Sequence, residues 1–324
     1  MNKKINWGII GLGKIAHKFA SDLLLSNNAN LYAVASRSID KAKEFAQTYK
    51  ASRTYSSYME LAKDPTVDIV YIATPHPFHF ENTMLCLQNN KAVLCEKPMG
   101  MDAKQVELMI QEAQSRKLFL MEGLWTRFIP ATEKLLEIIN SGKIGDIEFV
   151  RADFGFIGDL NLKSRLYDKK LGGGSLLDIG IYPIYLSLLL LGIPDRIKAI
   201  ASMTETNVDS SCSILFNYKN GAIANLDSTI EHNTATEAFI YGTKGVIRLH
   251  QRFHHTNKLT VSINGNQEVL DIPYKGIGYS HEIEEANKCL QNGKTESSKH
   301  SLKNSLDLIS VIDLVKEQIG LSYK

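Results

Sequence analysis

The sequence predicts an α/β protein of two domains: an N-terminal Rossmann-like, doubly wound parallel sheet, and a C-terminal α+β domain with a large, open, mostly antiparallel sheet. Buried apolar runs alternate with amphipathic helical patterns over roughly the first 120 residues, as in a parallel sheet with crossover helices. After residue 147, strand patterns dominate and are joined by Asn-Gly turns. The 324 residues suffice for two domains, which we place at 1–122 and 123–324.

The composition narrows the classes of function. The chain has 37 Lys and Arg against 35 Asp and Glu, and its net charge of +2 predicts no nucleic-acid or membrane partner. The most apolar run, 184–193, is too short to span a bilayer, and no apolar leader follows Met1, so we expect a cytoplasmic protein. The cysteines are far apart and form no CxxC pair, which favours free thiols: Cys86, Cys95, Cys212 and Cys289.

A glycine-rich segment follows the first predicted strand, Ile5–Ile10. It has the pattern GxGxxA and consists of Gly11-Leu12-Gly13-Lys14-Ile15-Ala16. Gly11 permits a tight turn, Gly13 lets the backbone approach a pyrophosphate, and Ala16 allows close packing of the helix on the strand. Between a strand and a helix, this pattern predicts a dinucleotide site, with Lys14 and Ile15 among its contacts. The alternative is a glycine turn without a ligand.

The end of the second predicted strand, Leu31–Ala35, indicates which dinucleotide binds. Sites for NAD usually place Asp or Glu here, to bind the ribose 2′-hydroxyl. This chain has Ser36-Arg37-Ser38 instead, and a guanidinium between two hydroxyls suits a 2′-phosphate. We therefore predict NADP, with NAD as the second choice. The alternative is an exposed arginine at a helix start.

The third predicted strand, Asp68–Ala73, runs into a loop that carries two histidines. Because no Cys, Asp or Glu in this segment completes a ligand set, we predict no metal site. The loop is expected to face the cofactor with four residues: Thr74, Pro75, His76 and His79.

Charged residues end the next buried strand, which begins at Ala92. Ligands of open parallel sheets bind beyond the carboxyl ends of the strands, so Glu96 and Lys97 are predicted to face the ligand. Pro98 restricts Lys97 to extended geometry and holds it in place. The alternative is an ordinary strand end with a solvated lysine.

Two signals mark the end of the first domain. Asp102 and Gln105 form a predicted capping box, and a strand at 118–121 closes the sheet. Trp125 and Arg127 follow at the junction, where they suit the walls of a ligand crevice, although a tryptophan is often only part of a core.

The second domain is predicted to contain eight strands: Ile147–Phe156, Arg196–Met203, Ser211–Phe216, Ala222–Ser228, Ala238–Tyr241, Val246–Leu249, Leu259–Ile263 and Glu268–Ile272. Helices are expected to begin at Pro130 and to cover 174–191, and two more end the chain. These helices suffice for one sheet face, so we expect a homodimer through the other face. The apolar residues expected to need a partner surface are Ile214, Phe216, Ile223 and Leu226.

The helix at 174–191 carries a candidate catalytic pair. Asp178 and Tyr182 are four residues apart, which places them on one helix face. The preceding Gly172-Gly173-Gly174 allows another backbone or a ligand to approach closely. A buried tyrosine bonded to a buried aspartate is also a common structural device, so spacing alone does not assign a role.

Taken together, these motifs resemble a known family. GxGxxA, Glu96-Lys97-Pro98, the stretch from Trp125 to Phe128, and the glycine run before Asp178 occur in the order typical of the glucose–fructose oxidoreductase, inositol dehydrogenase and rhizopine catabolism family. Nearly the whole chain is covered, and the branch it is most similar to contains dihydrodiol and NADP-dependent xylose dehydrogenases. Many inositol dehydrogenase-like members have histidine in place of Tyr182, which favours the dihydrodiol and aldose branch.

The resemblance implies that Lys97 and Tyr182 carry catalysis, that Asp178 supports them, and that the substrate is a sugar or a cyclic diol. Tyrosine, with a pKa of about 10, is a weak base at neutral pH, and a nearby lysine lowers that pKa. Trp125 and Phe154 suit the apolar walls for a substrate ring. Lys97 as the proton-transfer group remains an alternative, as do a reductase of another carbonyl or imine and a cofactor-binding regulator.

Overall fold

The computed structural model describes residues 4–158, 161 and 164–323. The chain forms two compact units: Met1–Phe128 with Tyr274–Leu306, and Ile129–Pro273 with Asp307–Lys324. The sequence predicted a single division at residue 122, whereas the chain leaves the first unit at residue 128 and returns to it at 274.

The helices are α1 (Lys14–Leu23), α2 (Ile39–Tyr49), α3 (Tyr58–Lys63), α4 (His79–Gln88), α5 (Ala103–Arg116), α6 (Pro130–Asn140), α7 (Ile181–Leu191), α8 (Ser280–Gln291) and α9 (Leu302–Gln318). The strands of the first sheet are β1 (Ile5–Ile10), β2 (Ala29–Ala35), β3 (Arg53–Tyr55), β4 (Ile69–Ile72), β5 (Ala92–Glu96) and β6 (Leu120–Gly123). Those of the second are β7 (Ile147–Gly155), β8 (Arg196–Met203), β9 (Asp209–Asn217), β10 (Ile223–Thr229), β11 (Ala238–Gly242), β12 (Val246–Leu249), β13 (Lys258–Ile263) and β14 (Asn266–Asp271).

The first sheet confirms the predicted doubly wound fold. Its strands are parallel in the order β3-β2-β1-β4-β5-β6, which is the dinucleotide-binding arrangement with a switch point between β1 and β4. The predicted helix cap is also present, because the Asp102 carboxylate accepts a 2.9 Å hydrogen bond from the Gln105 backbone N–H. Helix α5 buries its apolar face, as expected from its periodicity.

A carboxylate of the first helix holds the segment 274–306 in the first unit. Asp22, on α1, is almost completely buried and accepts hydrogen bonds from the backbone N–H groups of Ile277, Gly278 and Ser280. It thus caps the N-terminus of α8 from outside that helix. Trp7 Nε1 adds a 3.0 Å hydrogen bond to the Asn287 side chain. Such long-range bonds leave no local signal in the sequence.

The second sheet has eight strands in the order β14-β13-β12-β11-β7-β10-β9-β8. The pairs are antiparallel except that β7 and β10 run parallel, which confirms the predicted, mostly antiparallel sheet. All eight expected strands are present, and their ends differ from the predicted ones by at most two residues.

The apolar residues exposed on this sheet differ from those expected. Ile214, Phe216 and Leu226 are buried within the unit, because they point to the face that α7 and the turn before it cover. Side chains alternate along a strand, so the opposite face carries Leu215, 48% exposed, and Ile200, 76% exposed. Of the four residues named from the sequence, Ile223 lies on that outer face and is 37% exposed.

The helix that carries Tyr182 begins differently from the prediction. Residues Leu176–Gly180 form a π-helical turn that leads directly into α7, so Asp178 lies in a wider turn than the α-helical spacing assumed. Among the described residues, Lys169–Leu191 is the one stretch long and apolar enough to cross a membrane. In this structure, 72% of its most apolar window is buried, as in a core helix.

Candidate active site

The carboxyl edge of the first sheet brings together the predicted cofactor loops. Ile10 pairs with Ala35 on one side and with Ile72 on the other, and Ile72 pairs with Cys95. The carboxyl ends of β1, β2, β4 and β5 therefore lie at the same level of the sheet. The segments that follow them, 11–16, 36–38, 74–76 and 96–97, start from the same edge, where ligands of such sheets bind.

The glycine loop has the form that a pyrophosphate requires. Gly11 has φ of +86°, and a Cβ there would lie 2.7 Å from the Ala73 carbonyl carbon, so only glycine fits the turn. Gly13 caps α1 without a side-chain hydrogen bond. Apart from Gly13 itself, its two chain neighbours and the adjoining helix backbone, no described atom lies within 4 Å of the place where its Cβ would be. The N-terminal N–H groups of α1 thus have room for an anion beside exposed Lys14 and half-buried Ile15.

The predicted 2′-phosphate site keeps its arginine exposed. Ser36 Oγ accepts a 3.2 Å hydrogen bond from the Ser38 N–H, and Ser38 Oγ caps α2 at the Lys41 N–H. Arg37 is exposed directly beyond β2, the strand that pairs with β1. The guanidinium is therefore the main candidate for phosphate contact, and the serines shape the turn that presents it.

His79 is buried inside the first unit and connects two of the loops at the carboxyl edge of the sheet. Its side chain is completely buried, and its ring nitrogens lie 2.7 Å from the carbonyl oxygens of Pro98 and Thr74. Burial lowers the pKa of His79, against the opposing effect of the two carbonyls. The sequence predicted a cofactor contact here, but the ring instead links two loops. His76 is 7% exposed and Pro75 is half-buried.

Two carboxylates accept hydrogen bonds from the backbone around Lys97. Glu96 Oε2 accepts a 3.3 Å hydrogen bond from the Lys97 N–H. Beyond Pro98, the Met99 N–H donates to Glu122 Oε1 at 2.9 Å. The side chain of Lys97 is half-buried. These hydrogen bonds fix the backbone on both sides of the Lys97 side chain.

Glu96 and a second buried carboxyl, Glu282, interact electrostatically, and the sequence reasoning missed Glu282. Tyr71 donates a short hydrogen bond to Glu96 Oε1, and burial raises the pKa of Glu96. Glu282, on α8, is completely buried, and neither of its carboxyl oxygens has a hydrogen-bond partner within the described residues. Burial, and after it the charge of Glu96, raise the pKa of Glu282 well above its usual value.

Trp125 and Arg127 are largely buried in the first unit. Trp125 is 8% exposed and stacks on Tyr279, with ring centroids 4.6 Å apart. Arg127 Nε donates a 2.9 Å hydrogen bond to the Lys299 carbonyl. Both residues therefore help to fix the segment 274–306 onto the first unit.

In the second unit, Tyr182 lies in a group of aromatic rings. Its ring is 4.8 Å from that of His254 and 5.8 Å from that of Phe154, and His254 stacks on Phe154 at 4.2 Å. The sequence reasoning predicted Tyr182 and Phe154 but missed His254. Its position between β12 and β13 gave no hint that it contacts α7.

Asp178 has an ion-pair partner that the sequence reasoning also missed. Arg165 Nη2 lies 2.6 Å from Asp178 Oδ1. The glycine run before Asp178 accommodates a backbone, because a Cβ on Gly173 would lie 2.5 Å from the Leu166 carbonyl oxygen. At Gly173, the close approach is therefore to a backbone.

Two family models match the chain. One, described as an oxidoreductase family with an NAD-binding Rossmann fold (GFO/IDH/MocA), matches residues 5–124. The other, the GFO/IDH/MocA C-terminal domain, matches residues 132–248.

Relatives and solved structures match over almost the full length. A trans-1,2-dihydrobenzene-1,2-diol dehydrogenase from Xenopus tropicalis is 37% identical over 329 residues, 98% of each chain. The 3-ketoreductase KijD10 from Actinomadura kijaniata, solved with NADP and TDP-benzene, is 25% identical with a TM-score of 0.89 over 98% of each chain. An aldose-aldose oxidoreductase from Caulobacter crescentus, solved with glycerol, has the same fold, with a TM-score of 0.89, 24% identity and coverage of 98% and 97%.

Proposed function

Because the chain belongs to the GFO/IDH/MocA oxidoreductase family, we propose that it is an NADP-dependent dehydrogenase acting on a secondary alcohol of a sugar or a cyclic diol. One observation carries the proposal. Lys97, whose backbone is held by hydrogen bonds on both sides, lies at the same sheet edge as the open glycine loop. The Xenopus tropicalis relative supports the diol, and the ketoreductase solved with NADP supports the cofactor.

The residues of the cofactor edge fit a dinucleotide, because the glycine loop leaves space and uncapped N–H groups at the start of α1. When bound, the nicotinamide takes up or returns the hydride. The chain then has to move one proton. We assign this step to Tyr182, whose Oη takes the proton of the reacting hydroxyl in oxidation and returns it in reduction. In this proposal, the Lys97 ammonium is the cation that favours the phenolate of Tyr182.

A direct assay tests the proposed activity. The protein is mixed with NADP⁺ and a panel of aldoses and trans-cyclic diols, and the absorbance of the reduced nicotinamide is followed. We expect reduction with at least one diol or aldose. If the protein binds NADP but no member of the panel leads to its reduction, the result would favour a cofactor-binding regulator over a dehydrogenase.

We predict that the protein prefers NADP to NAD by about tenfold or more, since a charged hydrogen bond from Arg37 to the 2′-phosphate contributes about 1.5–3 kcal/mol. Arg37→Asp should remove the preference by weakening NADP alone. Dissociation constants for both cofactors provide the measurement. Lys41→Asp, on exposed α2, makes the same charge change and should leave the preference intact. Equal affinities of the native protein for the two cofactors would contradict the assignment.

We also propose that the protein is a homodimer formed through the outer face of the second sheet. That face carries Leu215, Ile223 and Tyr241, which neighbouring strands bring onto one surface with Phe149. Exposed apolar patches of this kind mark interfaces, and burying each large side chain contributes about 1.5–3 kcal/mol.

Light scattering at micromolar concentration should therefore give twice the chain mass of 36.2 kDa. Leu215→Asp combined with Ile223→Asp should shift the protein to monomers, because each charge would be buried at the interface. Leu108→Asp is the control, since Leu108 is 40% exposed on α5 of the other unit. A native monomer would contradict the dimer.

A further inference from the structure

Arg165 forms an ion pair with Asp178 through one of its two terminal nitrogens. Nη2 lies 2.6 Å from Asp178 Oδ1, and the two side chains are 39% and 14% exposed. The other terminal nitrogen, Nη1, is shielded from solvent and has no hydrogen-bond partner among the described residues. A guanidinium N–H that is buried without an acceptor costs free energy. Nη1 of Arg165 therefore carries N–H donors that lack an acceptor within the described residues.

The backbone of Arg165 is fixed next to the helix that carries Tyr182. A Cβ on Gly173 would lie 2.7 Å from the Arg165 carbonyl oxygen, and the Gly174 N–H donates to the Leu166 carbonyl at 2.8 Å. Asp178 lies in the π-helical turn that leads directly into α7. The ion pair is therefore held close in sequence and in space to the start of α7, where Tyr182 is located.

The two groups of the pair are complementary to a hydroxyl. A carboxylate only accepts hydrogen bonds and a guanidinium only donates them, whereas a hydroxyl does both. One hydroxyl can thus donate to Asp178 and accept from Arg165 Nη1. The hydroxyl that reacts gives its proton to Tyr182 under the proposed function, which assigns the hydroxyl on the adjacent carbon to the pair.

We propose that Arg165, together with Asp178, binds the second hydroxyl of a vicinal diol and so selects diols over simple alcohols. This inference rests on the proposed function, because it assigns the first hydroxyl to Tyr182. It makes Arg165 a specificity-determining residue of the second unit.

Binding to the protein saturated with NADPH tests this without turnover. Titration calorimetry compares trans-cyclohexane-1,2-diol with cyclohexanol, which lacks the second hydroxyl. We expect the native protein to bind the diol at least about tenfold more tightly. Arg165→Met should weaken diol binding by about 10- to 100-fold and change cyclohexanol binding by less than about threefold. Arg165→Lys should also lose the preference, since a lysine bound to Asp178 cannot offer a second nitrogen at the same place.

A matched ion pair elsewhere in the second unit serves as the control. Arg248 Nη2 lies 2.6 Å from Glu237 Oε1, with side chains 43% and 13% exposed, so Arg248→Met removes an equivalent pair. It should leave both affinities unchanged. Equal weakening of both ligands in Arg165→Met, full diol affinity in Arg165→Lys, or a native protein that does not bind the diol or does not prefer it would overturn the proposal. Normal diol selectivity without oxidation of any substrate would instead contradict the proposed dehydrogenase activity.

Discussion

Tyr182→Phe is expected to lower kcat by about 10²–10⁴ while leaving NADP affinity nearly unchanged, because in the proposed mechanism the phenol Oη exchanges a proton with the substrate. The ring itself should remain in place. It packs against the rings of Phe154 and His254, and phenylalanine keeps the same ring. Steady-state kinetics with the best substrate of the panel provide the measurement, with cofactor affinity measured separately.

Tyr185→Phe is the matched control for this variant. Tyr185 lies three residues further along α7 and is 4% exposed, close to the 6% of Tyr182. It should keep native kcat. A native kcat in Tyr182→Phe would contradict the assignment of proton transfer to Tyr182.

Lys97→Met separates the two candidate proton carriers. If Tyr182 transfers the proton, removing the lysine should lower kcat and move the basic limb of the pH–rate profile upward, because the phenol loses the cation that favours its ionised form. If Lys97 is itself the base, that limb should vanish in Lys97→Met. In that case Tyr182→Phe should mainly raise KM.

The first sheet was predicted well because its signals are local. The bounds of β1, Ile5–Ile10, follow directly from an apolar run that stops at a glycine turn. The loops beyond β1, β2, β4 and β5 each carry their own motif, and the parallel topology alone brings them to one edge. The short strand β3 was missed, since three residues give no periodicity.

The missed parts of the candidate site depend on long-range contacts. Arg165 meets Asp178 across the glycine run, and His254 reaches Tyr182 from the connection between β12 and β13. No spacing rule links these positions. The choice of outer-face residues failed for a related reason: a strand places successive side chains on opposite faces, and the sequence did not show which face α7 covers.

Asp209 supports the start of the helix that carries Tyr182. Its side chain is completely buried, and Oδ2 accepts hydrogen bonds from Ser175 Oγ at 2.6 Å and from the Leu176 N–H at 2.7 Å. Oδ1 is shielded and has no partner within the described part of the chain. Burial raises the pKa of Asp209 from 3.8 to about 6, against the lowering effect of those hydrogen bonds.

A carboxyl whose pKa is higher in the folded than in the unfolded protein makes folding less favourable once it ionises. The free energy of unfolding should therefore fall by about 3 kcal/mol, from this group, as the pH rises from below 4 to above 6. Asp209→Asn cannot ionise, yet its side-chain oxygen can still accept from Leu176. Relative to the native protein, it should gain about 3 kcal/mol of stability across that pH range, measured by urea unfolding at several pH values. Asp209→Ala lacks the acceptor and should be less stable than Asp209→Asn at every pH. Parallel pH profiles for the native protein and Asp209→Asn would show that the buried carboxyl does not control the stability of this helix start.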